Sequence, residues 1–220
     1  MKKDEELQHD VLDALRWEPL LSAAEIGVMV NNGIVTLTGM VDSYAKKSEA
    51  EEATKRVSGV RAVVEQIGMS YGHWGKTTDA DIASDILKVF NLSGGIIPAG
   101  KVNIMVEDGW VTLEGQLEWN YQKDFAKKTI RTLTGVKGLT NNIIIKSEVN
   151  DRIEKKDIER ALNRNGAISN KDVIVNVSGN KVTLTGSVDS WSKKDEAARI
   201  AWNAPGVWNV DNELVVDYID

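Results

Sequence analysis

Apolar and polar residues alternate strictly along three short stretches: Ile26, Val28, Val30; Val102, Ile104, Val106; and Val173, Val175, Val177. Period two predicts half-buried strands. A polar turn follows each: Asn31-Asn32-Gly33, Glu107-Asp108-Gly109 and Ser178-Gly179-Asn180. Asn and Gly tolerate the positive φ that tight hairpins need, so Asn180 is expected to take the backbone conformation of Gly33 and Gly109. A second alternating run comes next: Gly33-Ile34-Val35-Thr36-Leu37-Thr38-Gly39, then Gly109-Trp110-Val111-Thr112-Leu113-Glu114-Gly115, then Asn180-Lys181-Val182-Thr183-Leu184-Thr185-Gly186. Each reads as the second strand of a hairpin, closed by Gly39, Gly115 or Gly186.

Beyond each hairpin the period changes to that of a helix. Ala50, Ala53 and Val57 lie on one side in the first copy, Ala126, Thr129, Ile130 and Leu133 in the second, and Ala197, Ile200, Ala201 and Ala204 in the third. Asp42-Ser43 and Asp189-Ser190 suit the N-cap. Gly59, Gly135 and Gly206 are expected at the left-handed C′ positions. A last apolar run follows at once, through Ile67, Ile143 and Leu214. An earlier helix precedes each hairpin, with Leu7, Val11, Leu15, then Ile82, Ile86, Leu87, Phe90, then Ile158, Leu162 on its apolar side. The loop after the second of these helices, through Ser93-Gly94-Gly95-Ile96-Ile97-Pro98, is about four residues longer than its counterparts.

Shifting the chain by 76 residues, and then by a further 71, superposes residues 26–69, 102–145 and 173–216 without a gap. The chain is a triplicated unit. The expected fold class is α+β: three tandem αββαβ domains at 1–70, 77–147 and 151–220, each a three-stranded mixed sheet covered on one face by two helices. The crossover helix makes the third strand parallel to the second.

Charge separates the copies. The chain carries a net −6, but residues 1–70 contribute −4, residues 71–147 contribute +1 and residues 148–220 contribute −3. An acidic chain lacks the basic face of a bulk nucleic-acid binder, so no nucleic-acid partner is expected. With no cysteine there is no disulfide framework and no thiolate metal site. The N-terminal stretch runs into an acidic amphipathic pattern without an apolar h-region. A cytoplasmic location is therefore expected, or a periplasmic one if a signal has been removed.

The pattern Ile26-x-Val28-x-Val30-x-x-Gly33-x-Val35-x-Leu37-x-Gly39-x-Val41, then 20 residues from Gly39 to Gly59-Val60, resembles the BON domain, three times over. That resemblance implies binding rather than catalysis. BON domains are regarded as phospholipid- or membrane-interaction modules, linked to osmotic stress and envelope integrity in bacteria.

Little else carries chemistry. His9 falls on a helix and His73 in a linker, sharing no motif. Neither a catalytic nor a metal site is expected, nor a cofactor, and Ser93-Gly94-Gly95 lacks the lysine and spacing of a phosphate loop. An acid recurs at Asp42, Glu118 and Asp189 and a lysine at Lys47, Lys123 and Lys194. These suit capping and a solvated face, or else a row of anion-binding groups.

The middle copy breaks the pattern. Ser43 and Ser190 give way to Trp119, Ala45 and Ser192 to Tyr121, and Glu49 and Glu196 to Phe125. Lys123, Lys127, Lys128 and Arg131 surround these rings. Aromatics beside cations on a helix are expected to meet an anionic phospholipid or membrane surface peripherally. Alternatively they join domains, protein partners or protomers as a scaffold or self-assembling unit.

Overall fold

The computed structural model describes residues 3–21, 26–70, 77–146, 153–165, 168 and 173–217. The first repeat comprises α1 (Asp4–Arg16), β1 (Ile26–Asn31), β2 (Ile34–Val41), α2 (Tyr44–Lys55) and β3 (Ala62–Met69). The second comprises α3 (Asp79–Leu92), β4 (Val102–Glu107), β5 (Trp110–Leu117), α4 (Asn120–Arg131) and β6 (Gly138–Ile145). The third comprises α5 (Lys155–Arg164), β7 (Val173–Ser178), β8 (Lys181–Val188), α6 (Trp191–Trp202), β9 (Asn209–Asn212) and β10 (Val215–Val216). This is the expected α+β fold, with three separate sheets rather than one. By packing, residues 1–39, 49–66 and 149–220 form one compact unit and residues 40–48 and 67–148 another, the latter holding the whole middle repeat.

The first two strands of each sheet pair antiparallel, with Val28 opposite Leu37, Ile104 opposite Leu113 and Val175 opposite Leu184. β6 runs parallel to β5, and β9 and β10 run parallel to β8, as the crossover requires. The inward positions fill each core. In the third repeat Ile158 and Leu162 of α5 and Ala197, Ile200 and Ala201 of α6 pack against Val175, Leu184 and Leu214.

Several sequence expectations need correction. Leu87, expected on the apolar side of α3, is 53% exposed, while Ile82, Ile86 and Phe90 form the buried stripe. Gly39, Gly115 and Gly186 do not close their strands, which run on to Val41, Leu117 and Val188. They mark a change of partner. Gly115 stands opposite the first residue of β4, at φ +142°, and a Cβ there would overlap the Lys101 carbonyl. Beyond it the register continues with β6, and one hydrogen bond, Gln116 N–H to the Lys101 carbonyl at 3.2 Å, still reaches back toward β4. A side chain is excluded because another backbone passes too close.

Gly59, Gly135 and Gly206 have the expected left-handed φ of +100°, +90° and +79°, yet they lie four residues past the helix ends at Lys55, Arg131 and Trp202. A further hydrogen-bonded turn separates them from the helix, as in Leu133 N to Ile130 O and Val136 N to Leu133 O. Their place is set by the hairpin: a Cβ on Gly109 would come within 2.7 Å of the Gly135 carbonyl oxygen. Turn and crossover thus touch backbone to backbone.

The third turn also differs. Asn32 and Gly33 have φ of +51° and +76°, and Asp108 and Gly109 +49° and +80°, the pair of positive values of a type I′ turn. In the third copy the positive value falls on Gly179, +59°, and not on Asn180, which is the order of a type II′ turn. Asn180 instead donates its amide to the Gly206 carbonyl at 2.7 Å. The carboxylates of Asp4 and Asp79, by contrast, accept both turn N–H groups in their copies, at 2.8 and 3.2 Å from Asn32 and Gly33 and 2.8 Å each from Asp108 and Gly109.

The recurrent lysine has a task the sequence did not suggest. Lys47, Lys123 and Lys194 donate Nζ to the carbonyls of Ile67, Ile143 and Leu214, at 3.1, 2.7 and 2.6 Å. These three acceptors belong to residues at most 2% exposed. In two copies an asparagine completes a bracket. Asn141 accepts the Ile143 N–H at 3.2 Å and donates to the Lys123 carbonyl at 3.3 Å. Asn212 accepts the Leu214 N–H at 3.3 Å and donates to the Lys194 carbonyl at 2.8 Å. The outward main-chain groups of a buried strand residue, which no further strand pairs, are satisfied by side chains. These lysines are therefore neither a solvated face nor an anion row. Lys123→Met is expected to destabilise the middle repeat by about 1–2 kcal/mol. Asn141→Ala should add less when combined with it than alone, because the two share one bracket. Urea unfolding of the single and double variants measures both.

Candidate functional site

α4 carries the aromatic-basic face. Its buried side is Gln122, Ala126 and Ile130, spaced by one helical turn. Tyr121, Phe125 and Lys128 follow one another at i, i+4 and i+7 along a neighbouring stripe, while Lys127 and Arg131 share the next. Tyr121 is 56% exposed, Lys127 and Lys128 are exposed, and Trp119, Phe125 and Arg131 are half-buried. Lys128 and Arg131 also sit in the last turn, where cations suit the helix dipole.

The sibling repeats show what produced this face. In the third copy Glu196 receives two hydrogen bonds from Arg199, both 2.6 Å, and one from Asn165 at 2.7 Å. Arg199 hydrogen bonding holds the Glu196 carboxyl below the usual carboxylate range. In the first copy Glu49 pairs with Arg56 at 2.5 Å. Phe125 occupies the column of Glu49 and Glu196, and Lys128 that of Arg199. One exchange therefore removes the acid that would have neutralised Lys128 and puts a ring beside it.

A second exchange fixes the start of the helix. Lys46 and Lys193 pair with Asp42 and Asp189 at 2.7 and 2.5 Å. In their column the middle copy has Gln122, 6% exposed. Its side-chain oxygen accepts the N–H groups of Glu118 and Trp119 at 3.1 and 3.0 Å, and its amide donates to the Ile96 carbonyl at 2.7 Å. The longer loop is thus packed down, with Ile97 only 5% exposed. Gln122 was missed in the sequence, although its signal, the loss of an acid–lysine pair in one copy of three, was there.

Lys123, counted with the face by its position, turns inward to Ile143. Desolvation by burial holds its ammonium below the usual lysine value of 10.5, partly offset by Asp124. Asp124 in turn accepts from Asn120 at 3.1 Å. Of the capping expectations, Ser190 accepts the Lys193 N–H at 3.4 Å, while the Ser43 hydroxyl donates to Asp42 at 3.0 Å. His9 lies beside Asp13 at 3.4 Å on the exposed side of α1, and His73 lies outside the described residues. Among the described residues no group of three His, Cys, Asp or Glu could hold a metal ion, and no helix is long and apolar enough to cross a membrane.

A family model for the BON domain matches residues 3–69, 78–147 and 150–218. The chain belongs to the BON domain family. Osmotically-inducible protein Y of Escherichia coli (strain K12) is 29% identical to this BON chain over 131 residues, a match covering 56% of this chain and 63% of that protein. Two solved structures of CdsD, described as a structural protein of the type III secretion system of Chlamydia trachomatis, are 19% identical. One is titled as its C-terminal domain, with 99% of this chain and 100% of that one covered and a TM-score of 0.26. The other covers 96% of this chain and 91% of that one with a TM-score of 0.24. Both likenesses are too slight to argue from.

The site gives one titration prediction. Because the folded chain binds the Lys123 proton more weakly than the unfolded chain does, the unfolded state holds more protons above the folded pKa. This group's contribution to stability therefore rises with pH up to about 10.5 and is lowest at neutral pH. NMR titration of the Lys123 side chain should give a pKa below 10.5, and a value at or above it would contradict the buried placement.

Proposed function

We propose that this BON chain is a non-catalytic binding module that meets anionic phospholipid surfaces peripherally through α4 of its middle repeat, in the cytoplasm, in a response to osmotic or envelope stress. The observation that carries this reading is the replacement of the sibling acid by Phe125. It leaves the exposed Lys128, beside Lys127, without the carboxylate that holds Arg199 in the third copy. Tyr121 supplies an exposed ring one turn before Phe125. Rings at headgroup depth and cations against the lipid phosphates are complementary to such a surface, each cation contributing about 1 kcal/mol. Similarity to an osmotically inducible protein supports the stress setting.

A second reading, a protein-interaction scaffold or self-assembling unit, draws on the half-burial of Trp119 and Phe125. Flotation with vesicles separates the two. On the lipid reading the chain co-floats with vesicles containing anionic phosphatidylglycerol at low salt and not with purely zwitterionic ones. Phe125→Glu, which restores the residue type of the siblings, and Lys127→Glu with Lys128→Glu should each cut binding at least about ten-fold. Absence of co-flotation at low salt would overturn the lipid reading.

A further inference from the structure

The middle repeat has a second differentiated surface, on the side of its sheet that the helices leave open. There Trp110, 52% exposed, stands opposite Gly138 of β6 and opposite Glu107 of β4. A Cβ on Gly138 would lie inside contact distance of three ring carbons, so the indole rests on the bare glycine backbone. Its Nε1–H donates to Thr140 Oγ1 at 2.9 Å. The ring is therefore fixed in plane and in rotation, with one π-face held by the sheet.

The charge of this face is the reverse of that on α4. Glu107 and Glu114 both point outward and are exposed, and among the described residues neither carboxylate is paired. No outward residue of β4, β5 or β6 is basic. Lys101 and Lys137 lie beyond the strand ends, the latter running over the turn glycine, its Cγ 3.0 Å from where a Gly109 Cβ would be. Neither sibling has this arrangement. In the third copy Lys181 takes the Trp110 column and pairs at 2.9 Å with Asp211, in the Thr140 column. There the cation over the sheet is built in. In the first copy Ile34 and Val64 hold the same columns, with no charge.

We infer that this face binds an extended basic segment of a partner protein. One Arg or Lys stacks on Trp110 and pairs with Glu107, and a second pairs with Glu114. A cation over a tryptophan face is attracted by the ring quadrupole, most strongly when a carboxylate is within reach. Glu114 stands opposite Asn103, four residues along β4 from Glu107, or about 13 Å at the rise of a strand. That is the spacing of two basic side chains four residues apart in an extended peptide. Two unpaired carboxylates repel anionic lipid and nucleic acid, so this surface and α4 select partners of opposite charge.

The test uses the full chain and a blocked peptide Arg-Ser-Ser-Ser-Arg, with Gln-Ser-Ser-Ser-Gln as control, followed by the Trp110 indole N–H resonance. A saturable shift with the arginine peptide, weakened by salt and absent with the glutamine peptide, is expected. Glu107→Gln, followed by the indole resonance, and Trp110→Ile, followed by the backbone amide resonances of Glu107 and Gly138 because it removes the indole, should each weaken binding at least about five-fold. Lys128→Glu should leave it unchanged, so failure here is distinct from failure of the lipid reading. No saturable shift at millimolar peptide, equal binding by Glu107→Gln with an intact amide spectrum, or a shift produced instead by anionic vesicles or a neutral oligosaccharide would overturn the proposal.

Discussion

The fold turns on how the last strand of each repeat satisfies its outer edge. A three-stranded sheet leaves two edges, and here the third strand's edge lies beneath the crossover helix, where water does not reach the main chain of Ile67, Ile143 or Leu214. A buried carbonyl without a partner costs about 1–3 kcal/mol, a large share of what a unit of this size can bury. The lysine solves this from the helix. Its long apolar stem crosses the covered layer and its ammonium reaches the carbonyl. In two copies the asparagine then ties that lysine's own carbonyl back to the strand, so helix and strand hold each other.

Once that bracket, the core stripe and the glycine contact between turn and crossover are in place, the remaining surface is free to change. The three copies use the freedom at the same columns. Glu49, Phe125 and Glu196 stand at one, and Ile34, Trp110 and Lys181 at another. In the outer copies the acid column is occupied by internal pairs, Glu49 with Arg56 and Glu196 with Arg199. In the middle copy both columns became aromatic, and in each the ring has a charged neighbour: Lys128 on the helix side, Glu107 on the sheet side.

Much of this was legible in the sequence because the repeat supplies its own controls. Alternation located the hairpins and helical spacing located the buried stripes, apart from Leu87, which is exposed, and three copies of each supported both. Position in the helix also identified Phe125 and Tyr121 as departures. What periodicity could not convey is where a long side chain ends. Lys123 and Lys127 look alike in a list of charges, yet one reaches a buried carbonyl and the other is exposed. The glycines misled for a related reason. Gly115 and Gly135 answer to atoms far away in sequence, the Lys101 carbonyl and the Gly109 turn, so local rules for strand ends and helix caps misplaced them. Asn180 was read as a substitute for glycine when it is a hydrogen-bond donor to the carbonyl that glycine would merely clear.

Net charge, finally, is a poor guide to what the middle repeat meets. Its +1 is the sum of a basic helix and an acidic sheet face on opposite sides of one small core. At physiological ionic strength the screening length is about 8 Å. A sheet with helices packed on it is thicker than that, so a partner at one face feels mainly that face. In the outer copies several of these charges are paired internally, Lys46 with Asp42 and Arg56 with Glu49 in the first, and Lys193 with Asp189 and Arg199 with Glu196 in the third. On the two proposed readings, selectivity is set by which carboxylates have been removed or left unpaired, column by column, on a frame that the lysine contact keeps constant.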